Sequence, residues 1–128
     1  MADTKELKKG GSFLVEEVSP EDVITPEDFT EEQLMIAKTT EDFVEKDVLP
    51  VHEKLENHEF EYSIQLMKKA GELGLLSADV PEAYGGLGLD KISSALITEK
   101  MAPAGGFGIT HGAHVGIGSL PIVFFGNE

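Results

Sequence analysis

The sequence predicts an all-α domain, a helical bundle. Three observations carry that prediction. Apolar residues recur at helical spacing over 31–48 and 61–73, helix start and stop signals flank these runs, and no stretch alternates apolar and polar residues long enough for a strand. At 128 residues and 41% hydrophobic, the chain is sized and composed for one globular domain. Residues 1–24 read as a flexible or extended leader and 25–128 as the folded part.

Phe13-Leu14-Val15 read as a short anchor, and Pro20 and Pro26 punctuate an acidic, extended or turn-rich stretch over 16–30. Thr30-Glu31-Glu32-Gln33 matches a capping box, so a helix starts at 31 and runs to about 48. Ile36, Thr40, Phe43 and Val44 share its inner face. Pro50 should kink or end it, although Val51 and Leu55 continue the spacing. A second helix over 61–73 buries Leu66, Ala70 and Leu73, and Gly74 caps it in the left-handed conformation. Ser77 to Leu89 is a loop. Asp90 caps a third helix over 91–102, with Ile92, Ala95, Leu96 and Glu99 marking its turns. Pro103 to Gly106 break it, and a glycine-rich apolar helix follows over 107–125, with a break expected at Pro121.

Charge excludes several function classes. Twenty-four acidic residues against ten lysines and no arginine give a net charge of −14. Nucleic acid needs a basic footprint, and an anionic membrane surface would repel this chain. Without cysteine there is no disulfide, thiolate ligand or thiol nucleophile. The first residues, MADTKELKK, lack the apolar core of a signal peptide, and the lack of arginine argues against a transit peptide. A soluble, cytoplasmic, bacterial-type protein is expected.

The charge is also segregated. Residues 16–61 hold sixteen acids and only Lys38, Lys46 and Lys54, whereas 101–127 hold no charged residue and seven of the fourteen glycines. The second stretch is long enough for a membrane span, but two histidines, two prolines and seven glycines make it a poor one. A segment buried on nearly all sides fits better. It needs more cover than the preceding hundred residues supply, so the chain is expected to be the N-terminal piece of a larger protein.

No motif completes a catalytic centre. Each Gly-x-Gly pair (86/88, 106/108, 116/118) lacks the third glycine of the dinucleotide fingerprint: Lys91, His111 and Pro121 stand there instead. Tight turns and close packing explain these glycines. His111 and His114 share a helix face but have no local third metal ligand, so core histidines bonded to backbone or to a further domain are expected, with no metal site. His52, His58 and the Glu/Asp clusters read as solvated. Ser93 and Ser94 have no base partner in sequence. What stands out is Gly108, Gly112 and Gly116 at intervals of four. Each costs a helix interior about 1 kcal/mol relative to Ala, so the row has a reason: close helix packing, a groove open to something slender and apolar, or each at different turns.

Two blocks resemble a known family. GELGLLSADVPEAYGGLGLD (71–90) and GITHGAHVGIGSLPIVFFGNE (108–128) are similar to the N-terminal helical domain of the acyl-CoA dehydrogenases, in the same order and spacing. The run from Gly108 to Gly118 is closest in pattern to long- and very-long-chain members. The resemblance implies a flavoprotein that introduces a Cα–Cβ double bond into a fatty acyl-CoA thioester. It implies FAD as cofactor, electron-transfer flavoprotein as partner and a homodimer or homotetramer. It places the base and most FAD contacts in later domains, so this chain should carry neither and should be inactive alone. It also implies that Phe107, Gly108, Ile109, Gly112, Ala113 and Gly116 line the acyl pocket. The alternative is a non-catalytic helical interaction module derived from this domain. The reading frame beyond Glu128 separates the two.

Overall fold

A computed structural model describes residues 10–127; the first nine residues of the leader expected over 1–24, and the final Glu128, lie outside them. The chain divides into two compact units, one ending at Thr30 and the other starting at Glu31. Among the described residues every regular element is helical and none is a strand, in agreement with the hydrophobic spacing.

The first unit is a series of 3-10 turns at Ser12–Leu14, Pro20–Asp22 and Pro26–Asp28. The last two repeat one device. Ser19 and Thr25 begin them, and proline takes the first helical position, where a missing N–H forfeits nothing. Asp22 and Asp28 accept from the amides of Ser19 and Thr25 at 3.1 and 2.9 Å. Phe13, Leu14 and Val15, expected to anchor, are 44, 75 and 86% exposed.

The second unit begins with α1, Glu31–Phe43. Its inner face is the expected one, with Ile36, Thr40 and Phe43 buried and Val44 following. Pro50 does not end the helical path. A π turn at Val44–Val48 and a 3-10 turn at Leu49–Val51 lead into α2, His52–Glu56. In an α-helix the ring of Pro50 would collide with the carbonyl of Lys46. The π turn widens the backbone there while Val44 and Val48 stay buried. The same solution recurs before Pro121.

Helix α3, Phe60–Glu72, buries Leu66 and Ala70. Leu73, expected inside, is 36% exposed, because the helix ends at 72 and the chain turns away. Gly74 at φ +79° makes that turn. The Leu75 amide donates to the Ala70 carbonyl at 2.9 Å and the Gly74 amide to that of Gly71 at 3.0 Å, the paired bonds of a left-handed cap.

The loop over 77–89 folds back on itself: Leu87 and Leu89 donate to Ser77 and Ala78, and Gly88 to Val80. Gly86 allows this closure. A Cβ built on it would lie 2.0 Å from the Val80 carbonyl oxygen. Gly86→Ala should therefore cost about 3 kcal/mol, the top of the usual range for overpacking. Urea unfolding checks this, and an unchanged midpoint would contradict it.

Asp90 caps α4, Lys91–Met101, accepting from the Ser93 amide at 2.8 Å. The buried face of α4 is Ser93, Leu96, Ile97 and Met101, while Ala95 and Glu99 of the expected turns face outward. It packs on α1, and two bonds tie the pair together. The Gln33 Nε2 donates to Asp90 at 2.7 Å, and Lys100 lies 3.3 Å from Glu41. Burial is the largest single influence on the Asp90 carboxyl and opposes its ionisation. The donors Ser93 and Gln33 outweigh that and hold it below the ordinary range.

Candidate functional site

After the 3-10 turn Ala102–Ala104, Gly105 (φ +57°) redirects the chain into α5, Gly106–Gly112. A π turn at Ala113–Gly118 follows, then α6, Leu120–Phe125. The helix expected over 107–125 is therefore present but not uniform. Its irregularity falls at 113–118, upstream of Pro121, because the proline ring would meet the Ile117 carbonyl of an α-helix.

Two inward side chains fix this helix. Phe107 is 2% exposed, and its ring centre lies 6.0 Å from that of Phe43. His111 is buried, with Nε2 3.1 Å from the Leu75 carbonyl oxygen. A carbonyl only accepts, so Nε2 carries the proton and links α5 to the turn after α3. His111 is thus a backbone-bonded core histidine, as the sequence suggests, whereas His114, expected in the same role, is exposed. Among the described residues, no three His, Asp or Glu side chains gather as metal ligands. His52, expected to be solvated, lays its ring against Gly105, with Nδ1 buried and unpaired. His58 is exposed.

Burial holds the His111 imidazole below its ordinary value; the Leu75 carbonyl opposes this, and His114 adds to it. The unfolded ring binds its proton near pH 6.5 and the folded ring only at lower pH. Between those values the unfolded state holds more protons, so stability is complete above about pH 6.5 and is lost as acid titrates the folded ring. His111→Gln should flatten this part of the stability–pH curve. An unchanged slope would contradict it.

The outward face is open. Only 11% of the apolar window within Gly106–Phe125 is buried, and by length and composition this helix could cross a membrane. Ile109 and Ile117 are 77 and 83% exposed. Between α4 and α5 runs a groove of about 250 Å³, lined by Thr98, Ala102, Gly105, Gly108, Ile109 and Gly112 among others.

The six residues named from sequence divide accordingly. Phe107 belongs to the core. Gly108 is where α5 approaches α4, since a Cβ there would lie 3.0 Å from the Met101 carbonyl oxygen. Ile109, Gly112 and Ala113 lie on the exposed face, and Gly116 is partly exposed. Gly112 and Gly116 would meet nothing within 4 Å of an added Cβ. Along the glycine row, then, Gly108 packs closely against the end of α4, while Gly112 and Gly116 face open space. The groove also takes in Thr98, Ala102 and Gly105, which sequence reasoning did not mark; the small-residue run from Ala102 to Gly106 was a signal for the last two, and Thr98 had none.

The described residues thus form a helical domain that leaves one face of an uncharged helix open. The model of the acyl-CoA dehydrogenase N-terminal domain matches residues 30–128, and the chain belongs to that family. It is 68% identical over 123 residues to a probable acyl-CoA dehydrogenase of Bacillus subtilis, covering 96% of this chain and 21% of that protein. A second B. subtilis relative, the probable acyl-CoA dehydrogenase YngJ, is 39% identical over 102 residues, 79% of this chain and 27% of that protein. A crystal structure of an acyl-CoA dehydrogenase complexed with FAD from Bacillus anthracis superimposes with a TM-score of 0.89 at 70% identity. That match covers 94% of this chain and 21% of that one. The chain spans between about a fifth and a quarter of these relatives.

Proposed function

We propose that this chain is the N-terminal domain of a FAD-dependent enzyme that dehydrogenates long-chain fatty acyl-CoA thioesters between Cα and Cβ. The face carrying Ile109, Gly112, Ala113 and Gly116 walls its acyl pocket. The observation that supports this most is an uncharged helix held rigidly by Phe107 and His111 yet left uncovered. Methylenes laid along it displace water without desolvating a charge, and each contributes about 0.8 kcal/mol. Residues with little or no side chain leave the volume for them.

The described residues do not fit a flavin. The glycine loop at 85–88 is closed by its own backbone bonds, and no charged group stands on the exposed helix. FAD, with which the B. anthracis relative was crystallised, and the catalytic base are therefore assigned to parts of the enzyme beyond this domain. FAD would supply the hydride acceptor. Electron-transfer flavoprotein as electron acceptor, a homo-oligomer and a cytoplasmic location belong to the same reading.

The test is anaerobic reduction of flavin, by acyl-CoA thioesters of increasing length, in the enzyme that contains this chain. Bleaching by long thioesters is expected, and a flavin left oxidised at every length would contradict the reading. The 128-residue chain alone should retain no FAD through gel filtration, oxidise no thioester and bind a hydrophobic dye through its open face.

A further inference from the structure

We propose that the acidic leader docks, through Phe13, Leu14 and Val15, on a basic-rimmed apolar surface outside the part of the family that its shorter members share. This rests on the reading above that the chain is one domain of a larger enzyme. The leader presents three consecutive apolar side chains to solvent, with Ile24 also 36% exposed. Lys5, Lys8 and Lys9 precede them and six acids follow by residue 28, so the first thirty residues hold eight acids against three lysines.

The relatives indicate where the complementary surface lies. A match over 123 of 128 residues must include at least 25 of the first thirty, and 123 residues are 21% of a protein of about 590. The B. anthracis structure, similarly covered, has about 570 residues, since 94% of 128 is 21% of it. YngJ and a third B. subtilis relative match 102 and 100 residues, little more than the unit from Glu31, and 27 and 26% coverage makes both about 380 long. The long relatives match nearly all of the leader together with the unit from Glu31, and the matches to the short ones are too small to hold both. The leader accounts for only about 25 of some 200 additional residues, and the rest supply a surface that the short form lacks. An apolar run needs such cover, and an acidic rim selects a basic one.

The experiment places a photoreactive p-benzoylphenylalanine at position 14 of the full-length enzyme and maps the cross-links by mass spectrometry. Cross-links within the additional residues are expected. In a Leu14→Asp/Val15→Asp variant, amides in that surface should lose at least tenfold in hydrogen-exchange protection while 31–128 keep theirs. Cross-links to residues 31–128, to regions aligned with the short relatives, or to a second copy would overturn the proposal, as would unchanged protection. The intact mass of the natural polypeptide tests the underlying reading separately: near 590 residues supports it, and near 380 removes it.

Discussion

Replacing Gly112 or Ala113 with Leu, in the enzyme that carries this domain, should lower kcat/KM for long acyl-CoA substrates about a hundredfold and leave short ones unchanged. The new side chain enters space that is empty at Gly112. A short acyl chain ends before the obstruction. A long one leaves about four methylenes unburied, at about 0.8 kcal/mol each, so roughly 3 kcal/mol of transition-state binding is lost. Gly108→Leu should behave differently. Its Cβ would crowd the Met101 carbonyl at 3.0 Å, so stability should fall, and activity with it for substrates of every length. Close backbone packing in the row thus falls at Gly108 and not at Gly116, where an added Cβ would meet nothing within 4 Å. Equal losses for short and long substrates at Gly112 and Ala113 would mean that the open face is not the pocket.

Phe107→Ala should cost the domain about 3–5 kcal/mol, the usual price of removing a buried Phe. That is a large share of the 5–15 kcal/mol that holds a domain folded. The ring is 2% exposed against Phe43, in the cluster that also contains Val44, Leu66 and Met101. Thermal or urea unfolding reads the effect directly. A variant of unchanged stability but altered substrate preference would return Phe107 to the acyl pocket, where the family pattern puts it.

Local signals made much of the fold legible. Asp90 caps the third helix, Gly74 ends the second, and Ile36, Thr40 and Phe43 share the first helix's inner face, all through neighbours within one or two turns. Long-range partners were not legible. Gln33 meets Asp90 across 57 residues, Glu41 meets Lys100 across 59, and His111 meets Leu75 across 36. The π turns escaped prediction because a proline announces a disturbed helix without saying whether the chain breaks, bends or widens. In the candidate site the difficulty was uniformity. Residues 101–127 carry no charge on any face, so no periodic contrast separates inward Phe107 and His111 from outward Ile109 and Ala113. Packing against α4 and the turn after α3 decides it.

The most direct test of the central claim is photolabelling of the full-length enzyme by a long-chain acyl-CoA carrying a diazirine at its terminal carbon, with a short-chain probe as control. Labelled peptides are mapped after saturation and competition with unlabelled thioester. If the uncharged helix walls the acyl pocket, the long probe marks residues between Gly105 and Ile117, and the short probe leaves that stretch unlabelled. Competed labelling that lies wholly outside this helix, with the enzyme active on the same long thioester, would contradict the account.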